Sequence, residues 1–428
     1  MSRFVRVRQL IGHRLVKNTA ALFIVQISTY AAPLAVLPYL SRVLSTSHFG
    51  LIAFATSFNW YFMTLVEYGF NLTATRRIAI HHEDTEKVSR IFSSVMAAKA
   101  FLTIFGLLLM VTVVMTTPKL RPNIGLFCIS YLLVVGDLLF PVWLFQGIQK
   151  MENLVWRDLG AKLLSLCLIF AFVHRDSDYL WAAGFQAGST VVAGVVGLGT
   201  AFTSTHVRWI TPAISDIVLA LREGWPVFLS MAALTLTTST NIFILGLRSG
   251  PVDVAYYTAA YRLIVAIRAL VAPAVTALYP HISRMASKSH ENAIAFLRKY
   301  ALLLAAPFFV ASVIMLAGAS PITLILYGPK YVPTIPLLRI LAFSPFLLAF
   351  QTIYSTFYML AFGHEKEWSR VILQSSVLNF LLLVPLLYTI RPTTAVAVTG
   401  LMLDLFVAIV TYRFYVKNTA AMRPAIAV

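Results

Sequence analysis

Acidic residues are scarce in this chain. Asp and Glu number 16 against 34 Lys and Arg in 428 residues, and all charged side chains together make up 12%. A soluble domain carries about twice that share of charge, so a water-exposed globular fold is excluded. Cysteine is nearly missing. Cys128 and Cys167 both sit inside apolar runs, which excludes a disulfide framework. The chain has no Gly-x-x-x-x-Gly-Lys-Ser/Thr loop to cradle nucleotide phosphates, and so does not hydrolyse nucleotide itself. Neither a His-Glu-x-x-His zinc helix nor a Gly-x-Ser-x-Gly elbow occurs. Nothing in the sequence reads as a catalytic, cofactor or metal site.

Hydrophobic residues, by contrast, make up 59%, with a mean hydropathy of +0.81. They fall in runs of roughly 17–25 residues, the length a helix needs to cross the hydrocarbon core. The expected fold is all-α: a polytopic membrane protein of about twelve transmembrane helices. The spans are expected near residues 19–44, 50–73, 91–117, 123–147, 159–173, 179–203, 224–247, 254–279, 298–319, 336–361, 371–390 and 394–415. The basic segment Met1–Lys17 runs into an apolar stretch too long for a signal-peptide core, so the first span is expected to be retained.

Lys and Arg set an orientation. If the N-terminus is cytoplasmic, Arg76, Arg77, Lys87, Arg90, Arg298, Lys299, Arg413 and Lys417 lie inside, with many others. Outside fall only Arg42, Lys119, Arg121, Arg175, Arg248, Lys330, Arg339 and Arg391. This roughly threefold bias alternates segment by segment and places both termini in the cytoplasm. Most of the +18 net charge then meets anionic lipid, and no nucleic-acid partner is implied.

The chain also reads as two related halves. Phe49-Gly50-Leu51-Ile52-Ala53-Phe54-Ala55 recurs as Val254-Ala255-Tyr256-Tyr257-Thr258-Ala259-Ala260. Each copy follows a polar turn, and each span ends in a basic segment, Arg76-Arg77 or Arg284. The expected organisation is an N-terminal six-helix lobe (1–203), a cytoplasmic linker (204–223) and a C-terminal six-helix lobe (224–428) around a central cavity.

Six ionisable residues lie inside spans: Glu67, Lys99, Asp137, Arg262, Arg268 and Asp404. Each is expensive in lipid, so the set is expected either to line a wet cavity between the lobes or to lock helices together as ion pairs. Glu67 and Lys99 fall at similar depth and form one candidate pair. Arg262 and Arg268 point about 120° apart around one helix and so cannot share a partner. Pro33, Pro38, Pro226, Pro273, Pro307 and Pro345 are expected to interrupt their spans. Gly184 and Gly188 form a GxxxG expected to let helices approach. Asp176-Ser177-Asp178 has the metal-holding Asp-x-Asp form of glycosyltransferases, but sits in a short loop without a domain to complete a site. His81-His82-Glu83-Asp84 reads as a solvated turn.

Three stretches carry a family resemblance. Pro38-Tyr39-Leu40-Ser41-Arg42-Val43-Leu44 with Phe49-Gly50, then Tyr68-Gly69-Phe70-Asn71-Leu72-Thr73-Ala74-Thr75-Arg76, then Pro141-Val142-Trp143-Leu144-Phe145-Gln146-Gly147-Ile148-Gln149-Lys150-Met151 resemble the Wzx or O-antigen transporter family. That family belongs to the multidrug/oligosaccharidyl-lipid/polysaccharide exporter superfamily. Gln149 departs from the acidic residue expected at its position. The resemblance implies a bacterial inner-membrane flippase that carries undecaprenyl-diphosphate-linked oligosaccharide repeat units to the periplasmic leaflet for surface polysaccharide synthesis. A polysaccharide polymerase and a chain-length regulator are its implied partners, and no cofactor is. Arg262, Arg268 and Lys99, with Arg42 and Arg248 at the outer mouth, would bind the diphosphate. Glu67, Asp137 and Asp404 would couple transport to an ion gradient or pair within the cavity. Two other readings stand beside this one: an ion-coupled small-molecule or multidrug exporter of the same superfamily, which favours an acidic cavity, and a membrane-embedded glycosyltransferase or polymerase, which needs a large outer loop with paired acids.

Overall fold

The computed structural model describes residues 34–150 and 152–421. The expectations for the start of the first span, Pro33, the basic N-terminal segment, Met151 and Arg423 lie outside the described residues. Among those described, every regular element is helical. Among the described residues, nine helical stretches are long and apolar enough to cross a membrane. The expected spans at 159–173 and 224–247 also fall on helices, Glu152–Phe172 and Ile214–Ser249.

The chain divides into two compact units, one of them Pro38–Ala255 and the other running from Tyr256 onward. Helix α1 (Leu34–Val43) leads into the first unit. That unit contains α2 (Thr46–Glu67), α3 (Phe70–Ile80), α4 (Thr85–Thr116), α5 (Ile124–Ser130), α6 (Leu132–Leu139), α7 (Val142–Gly147), α8 (Glu152–Phe172), α9 (Tyr179–Ser204) and α10 (Ile214–Ser249). The division falls within α11 (Pro251–Arg268). The second unit goes on through α12 (Val271–Lys288), α13 (His290–Ala317), α14 (Ala319–Tyr327), α15 (Thr334–Leu341), α16 (Ser344–Tyr354), α17 (Glu365–Thr389) and α18 (Pro392–Ala421). A π-helical turn, Ser355–Leu360, extends α16.

Helix α10, which the repeat assigns to the second lobe, packs on α2, α3 and α4 within the first unit. Nor is the stretch before it slack. The amides of Arg208 and Ile210 donate to the hydroxyls of Ser89 and Ser93 on α4, at 3.0 and 2.9 Å. The sequence repeat places its lobe boundary at 204–223, whereas the packing divides the chain between Ala255 and Tyr256.

Surface chemistry identifies the solvent. On α4, Phe101, Ile104, Phe105 and Leu108 are 49–64% exposed, while Leu102, Lys99 and Met110 are buried. Positions i, i+3, i+4 and i+7 form one helical stripe. An apolar stripe turned outward over a polar-containing interior is stable only against hydrocarbon.

Prolines act differently from one another. Pro226 and Pro307 lie inside α10 and α13, as expected, and so do Pro280 in α12 and Pro385 in α17. Pro273 and Pro345 instead fall in the first turns of α12 and α16, where a missing amide leaves no intrahelical bond unmade. The clearest break in a span has no proline. Tyr68 and Gly69 both adopt left-handed backbone (φ 48° and 80°), separating α2 from α3. A Cβ on Gly69 would lie 2.5 Å from Val227 Cγ1, so both backbone and packing require glycine there.

The GxxxG expectation fails. A methyl at Gly188 would meet nothing within 4 Å, and one at Gly184 only Ile129, at 3.6 Å. The close approach on α9 lies further along the helix. A Cβ at Gly194 would sit 2.7 Å from Leu139 Cβ and 2.8 Å from the Gly136 carbonyl oxygen, and Gly136 in turn abuts Thr190. The relevant pair is one glycine on each of two packed helices, which spacing along a single helix does not reveal. Gly194→Ala is expected to destabilise by about 1–3 kcal/mol through overpacking, and Gly188→Ala, with open space for its methyl, to stabilise by up to about 1 kcal/mol. Thermal unfolding in detergent separates the two, and equal effects would refute the assignment.

Candidate functional site

In the first unit the site begins with a weakly satisfied carbonyl. The carbonyl of Asp137 lies four residues before Pro141, which has no N–H to give it, and receives only a long backbone bond, from the Phe140 amide at 3.4 Å. Lys99 on α4 supplies a further donor. Its ammonium donates to the Asp137 carbonyl oxygen at 2.7 Å and to the carboxylate Oδ2 at 3.0 Å. The lysine side chain is 3% exposed and its partner 25%. A cation on the last turn of α6 is also favoured by the helix dipole. This corrects the Glu67–Lys99 pairing considered above: Lys99 takes Asp137. Glu67 closes α2 just before the left-handed pair, and Asn71 in the first turn of α3 donates to its Oε1 at 2.8 Å. Both members of the Lys99–Asp137 pair remain within electrostatic reach of Glu67. Glu67 is half-buried and has no cationic partner in bonding range among the described residues.

In the second unit Arg268 ends α11 and donates from Nη1 to Ser344 Oγ (2.9 Å) and to Asp404 Oδ2 (3.1 Å). The Ser344 hydroxyl donates in turn to Asp404. Side-chain exposure is 25% for Arg268 and 13% for Asp404. Tyr257 and Tyr261 stack on each other, centroids 5.6 Å apart, on the face of α11 that leads to Arg268. Four of the six intramembrane charges are thus tucked pairwise against neighbouring helices. Ser344, Asn71 and the two tyrosines escaped the sequence reading. Only the tyrosines left a signal there, positions 257, 261 and 268 falling on one helical face.

Arg262 differs from the others. It lies on another face of α11, half-buried, and has no carboxylate within ion-pair distance among the described residues. Tyr327 is within electrostatic reach, its own hydroxyl donating to the Ala259 carbonyl oxygen at 3.0 Å. Arg42 and Arg248 are exposed and each has interactions of its own. The structure thus brings together Lys99 with Asp137 and Arg268 with Asp404, and leaves Arg262 and Glu67 as the uncompensated members of the set.

The two set-aside motifs have structural roles. Asp178 accepts from the amides of His174 and Arg175, at 3.1 and 2.9 Å. Asp176 accepts from the Ser45 amide at 2.7 Å and lies 2.8 Å from His48 Nδ1. Asp176 thus fastens the loop to the start of α2, and Asp178 closes the loop's own turn. Asp84 caps α4 by accepting from the Lys87 amide at 3.0 Å, which holds its carboxyl below the usual range. No cluster of three metal-ligating side chains occurs among the described residues.

The motifs that carried the family resemblance meet in space. Helix α7 packs on α3. Trp143 is fully buried beside Phe92, with ring centroids 5.8 Å apart. Thr75 donates to the Trp143 carbonyl oxygen at 3.1 Å, and a Cβ on Gly147 would lie 2.6 Å from Ile78 Cγ2. The Trp-x-Phe-Gln-Gly run and the Asn-Leu-Thr-Ala-Thr-Arg run are two sides of one helix contact.

Comparison with known proteins agrees with this architecture. The model of a family described as polysaccharide biosynthesis protein matches residues 15–286. A protein of Escherichia coli (strain K12) named as an O-antigen transporter is 31% identical over 86% of this chain and 89% of its own length. One of Shigella dysenteriae with the same name is 29% identical over 87% and 93%. Among solved structures, the lipid II flippase MurJ in an inward closed conformation superposes with a TM-score of 0.72 at 12% identity, covering 94% of this chain and 87% of that one. An inward-facing multidrug resistance MATE family transporter gives 0.68 at 16%, covering 94% and 99%. At such identities these two structures share the fold alone. The chain belongs to the polysaccharide biosynthesis protein family, as a multi-pass membrane transporter.

Proposed function

We propose that this protein moves undecaprenyl-diphosphate-linked oligosaccharide repeat units from the cytoplasmic to the periplasmic leaflet of a bacterial inner membrane, by alternating access of two six-helix lobes. The observation that carries the reading is Arg262. A half-buried guanidinium inside a span, with no carboxylate in ion-pair range among the described residues, suits an anionic head group that arrives and leaves. The relatives named as O-antigen transporters point to the same substrate class. Lys99 and Arg268 are committed to Asp137 and Asp404, and act by holding helices in one arrangement until the pairs exchange partners. Arg42 and Arg248, exposed at the outer mouth, would meet the diphosphate as it leaves. Among the three carboxylates Glu67 has no cationic partner in bonding range among the described residues, so it is the group assigned to ion coupling. A polymerase and a chain-length regulator would consume the delivered repeat units.

Reconstitution tests this. Proteoliposomes loaded with a fluorescent undecaprenyl-diphosphate oligosaccharide are expected to expose it to an external glycosidase faster with a proton gradient than without. Glu67→Gln is expected to make the two rates equal at the gradient-free level. No exposure above protein-free vesicles would end the flippase reading; identical wild-type rates with and without the gradient would end the coupling assignment alone.

A further inference from the structure

The second unit contains a cavity of about 440 Å³ that none of the six intramembrane charges touches. It lies between the beginning of α13 and the last turns of α18, with α16 behind, and is lined chiefly by Leu297, Arg298, Tyr354, Tyr412, Tyr415 and Val416. Its polar wall is built. Arg298 donates from Nε to the Tyr415 hydroxyl at 3.0 Å, and Tyr415 is 7% exposed. That bond tethers the exposed guanidinium at Nε while leaving its two terminal nitrogens unbonded to protein among the described residues. No acidic side chain lines the cavity. The tyrosine rings are locked against one another: Tyr354 contacts Tyr412 and Tyr415 with centroids 5.1 and 5.0 Å apart.

The other wall is apolar. Leu297 is buried, while Val416 and Tyr412 are 42% and 43% exposed, so the cavity opens at that side onto the surface. Lys299, Arg413 and Lys417 flank it in sequence and raise the local positive potential. Both helix ends are on the side that the Lys and Arg distribution assigns to the cytoplasm. A tethered guanidinium with no carboxylate in the cavity and with hydroxyls beside it recognises a phosphate. An open apolar rim next to it recognises the chain attached to that phosphate.

We propose that the Arg298–Tyr354–Tyr412–Tyr415 cavity is a second binding site, separate from Arg262, for the phosphate head of a lipid lying in the adjacent leaflet. Two sources share this chemistry: the polyprenyl diphosphate of the transported lipid, for which the cavity would be a loading station, and membrane phosphatidylglycerol. The loading role rests on the proposed function; the phosphate-lipid site does not.

The test uses the full-length protein in phosphatidylcholine nanodiscs, in an Arg262→Gln background so that binding at that residue does not mask the second site. The probe is a polyprenyl diphosphate bearing a diazirine and a fluorophore. Binding is expected to weaken about tenfold or more on adding Arg298→Gln, and the photo-adduct to fall on α13 and on residues 412–420 of α18. Unchanged affinity together with adducts elsewhere would overturn the site. If Arg298→Gln does not fold, the adduct position in the parent decides alone. Displacement by equimolar phosphatidylglycerol identifies the membrane lipid as occupant; resistance to it identifies the polyprenyl diphosphate. In the otherwise wild-type protein, transport no faster than in protein-free vesicles, with binding at this cavity intact, would remove the flippase reading and leave this site standing.

Discussion

Asp404→Ala is expected to destabilise the protein far more than Arg268→Ala, although the two remove opposite ends of one ion pair. Both groups lie in a span and are mostly shielded, at 13% and 25% side-chain exposure. Breaking such a pair from one side leaves a buried charge and typically costs about 3–5 kcal/mol. The survivors differ in chemistry. An orphaned carboxyl can take up a proton and become a neutral hydrogen-bonding group, and Ser344 is already placed beside it. An orphaned guanidinium cannot lose its charge in a protein. The full penalty therefore applies to Asp404→Ala and a fraction of it to Arg268→Ala. The double variant Arg268→Met/Asp404→Leu removes both charges and is expected to recover most of the loss, as replacing a whole buried pair by apolar side chains often does. Thermal midpoints from detergent size-exclusion traces check this order. Equal losses in the two single variants would mean that Arg268 has another anionic neighbour or is wetter than its packing indicates.

This asymmetry changes what an export defect means. Read as phosphate ligands, Arg262 and Arg268 are equivalent from sequence, six residues apart on one amphipathic span. The fold makes them unequal. Arg268 reaches a carboxylate on α18 and a serine on α16, both distant in sequence, and no periodicity predicts such a meeting. The same holds for Lys99. Its place in a span and its charge were legible, but its partner is set by how the end of α6, with its carboxylate and weakly bonded carbonyl, packs on α4, a matter of helix termini rather than of depth. Depth along a span follows from counting residues, whereas azimuth and partner follow from tertiary packing. For that reason nearly every helix fell where hydropathy and length placed it, while the GxxxG contact and the Glu67 pairing did not. The family motifs were visible as strings, and their meaning as one α3–α7 contact was not, because Gly147 and Ile78 are brought together only by the fold.

Arg262→Gln is expected to reduce transport by about 10–100-fold, the loss of one or two charge-assisted hydrogen bonds to a phosphate. It is also expected to leave the thermal midpoint unchanged or raise it, by up to about 1 kcal/mol of stability. Both effects follow from one fact. A cation held half out of water without a counter-ion is an unfavourable element of the empty protein. Retaining it is reasonable only if a ligand completes it. Glutamine keeps the length and two hydrogen-bonding groups, so lost packing would not account for a defect. The opposite signs separate a ligand-binding arginine from a structural one: Arg268→Gln should lower both stability and transport, and Arg262→Gln transport alone. A variant at 262 that is destabilised as severely as one at 268 would place Arg262 among the structural charges, and the diphosphate would then have to be sought on other cations.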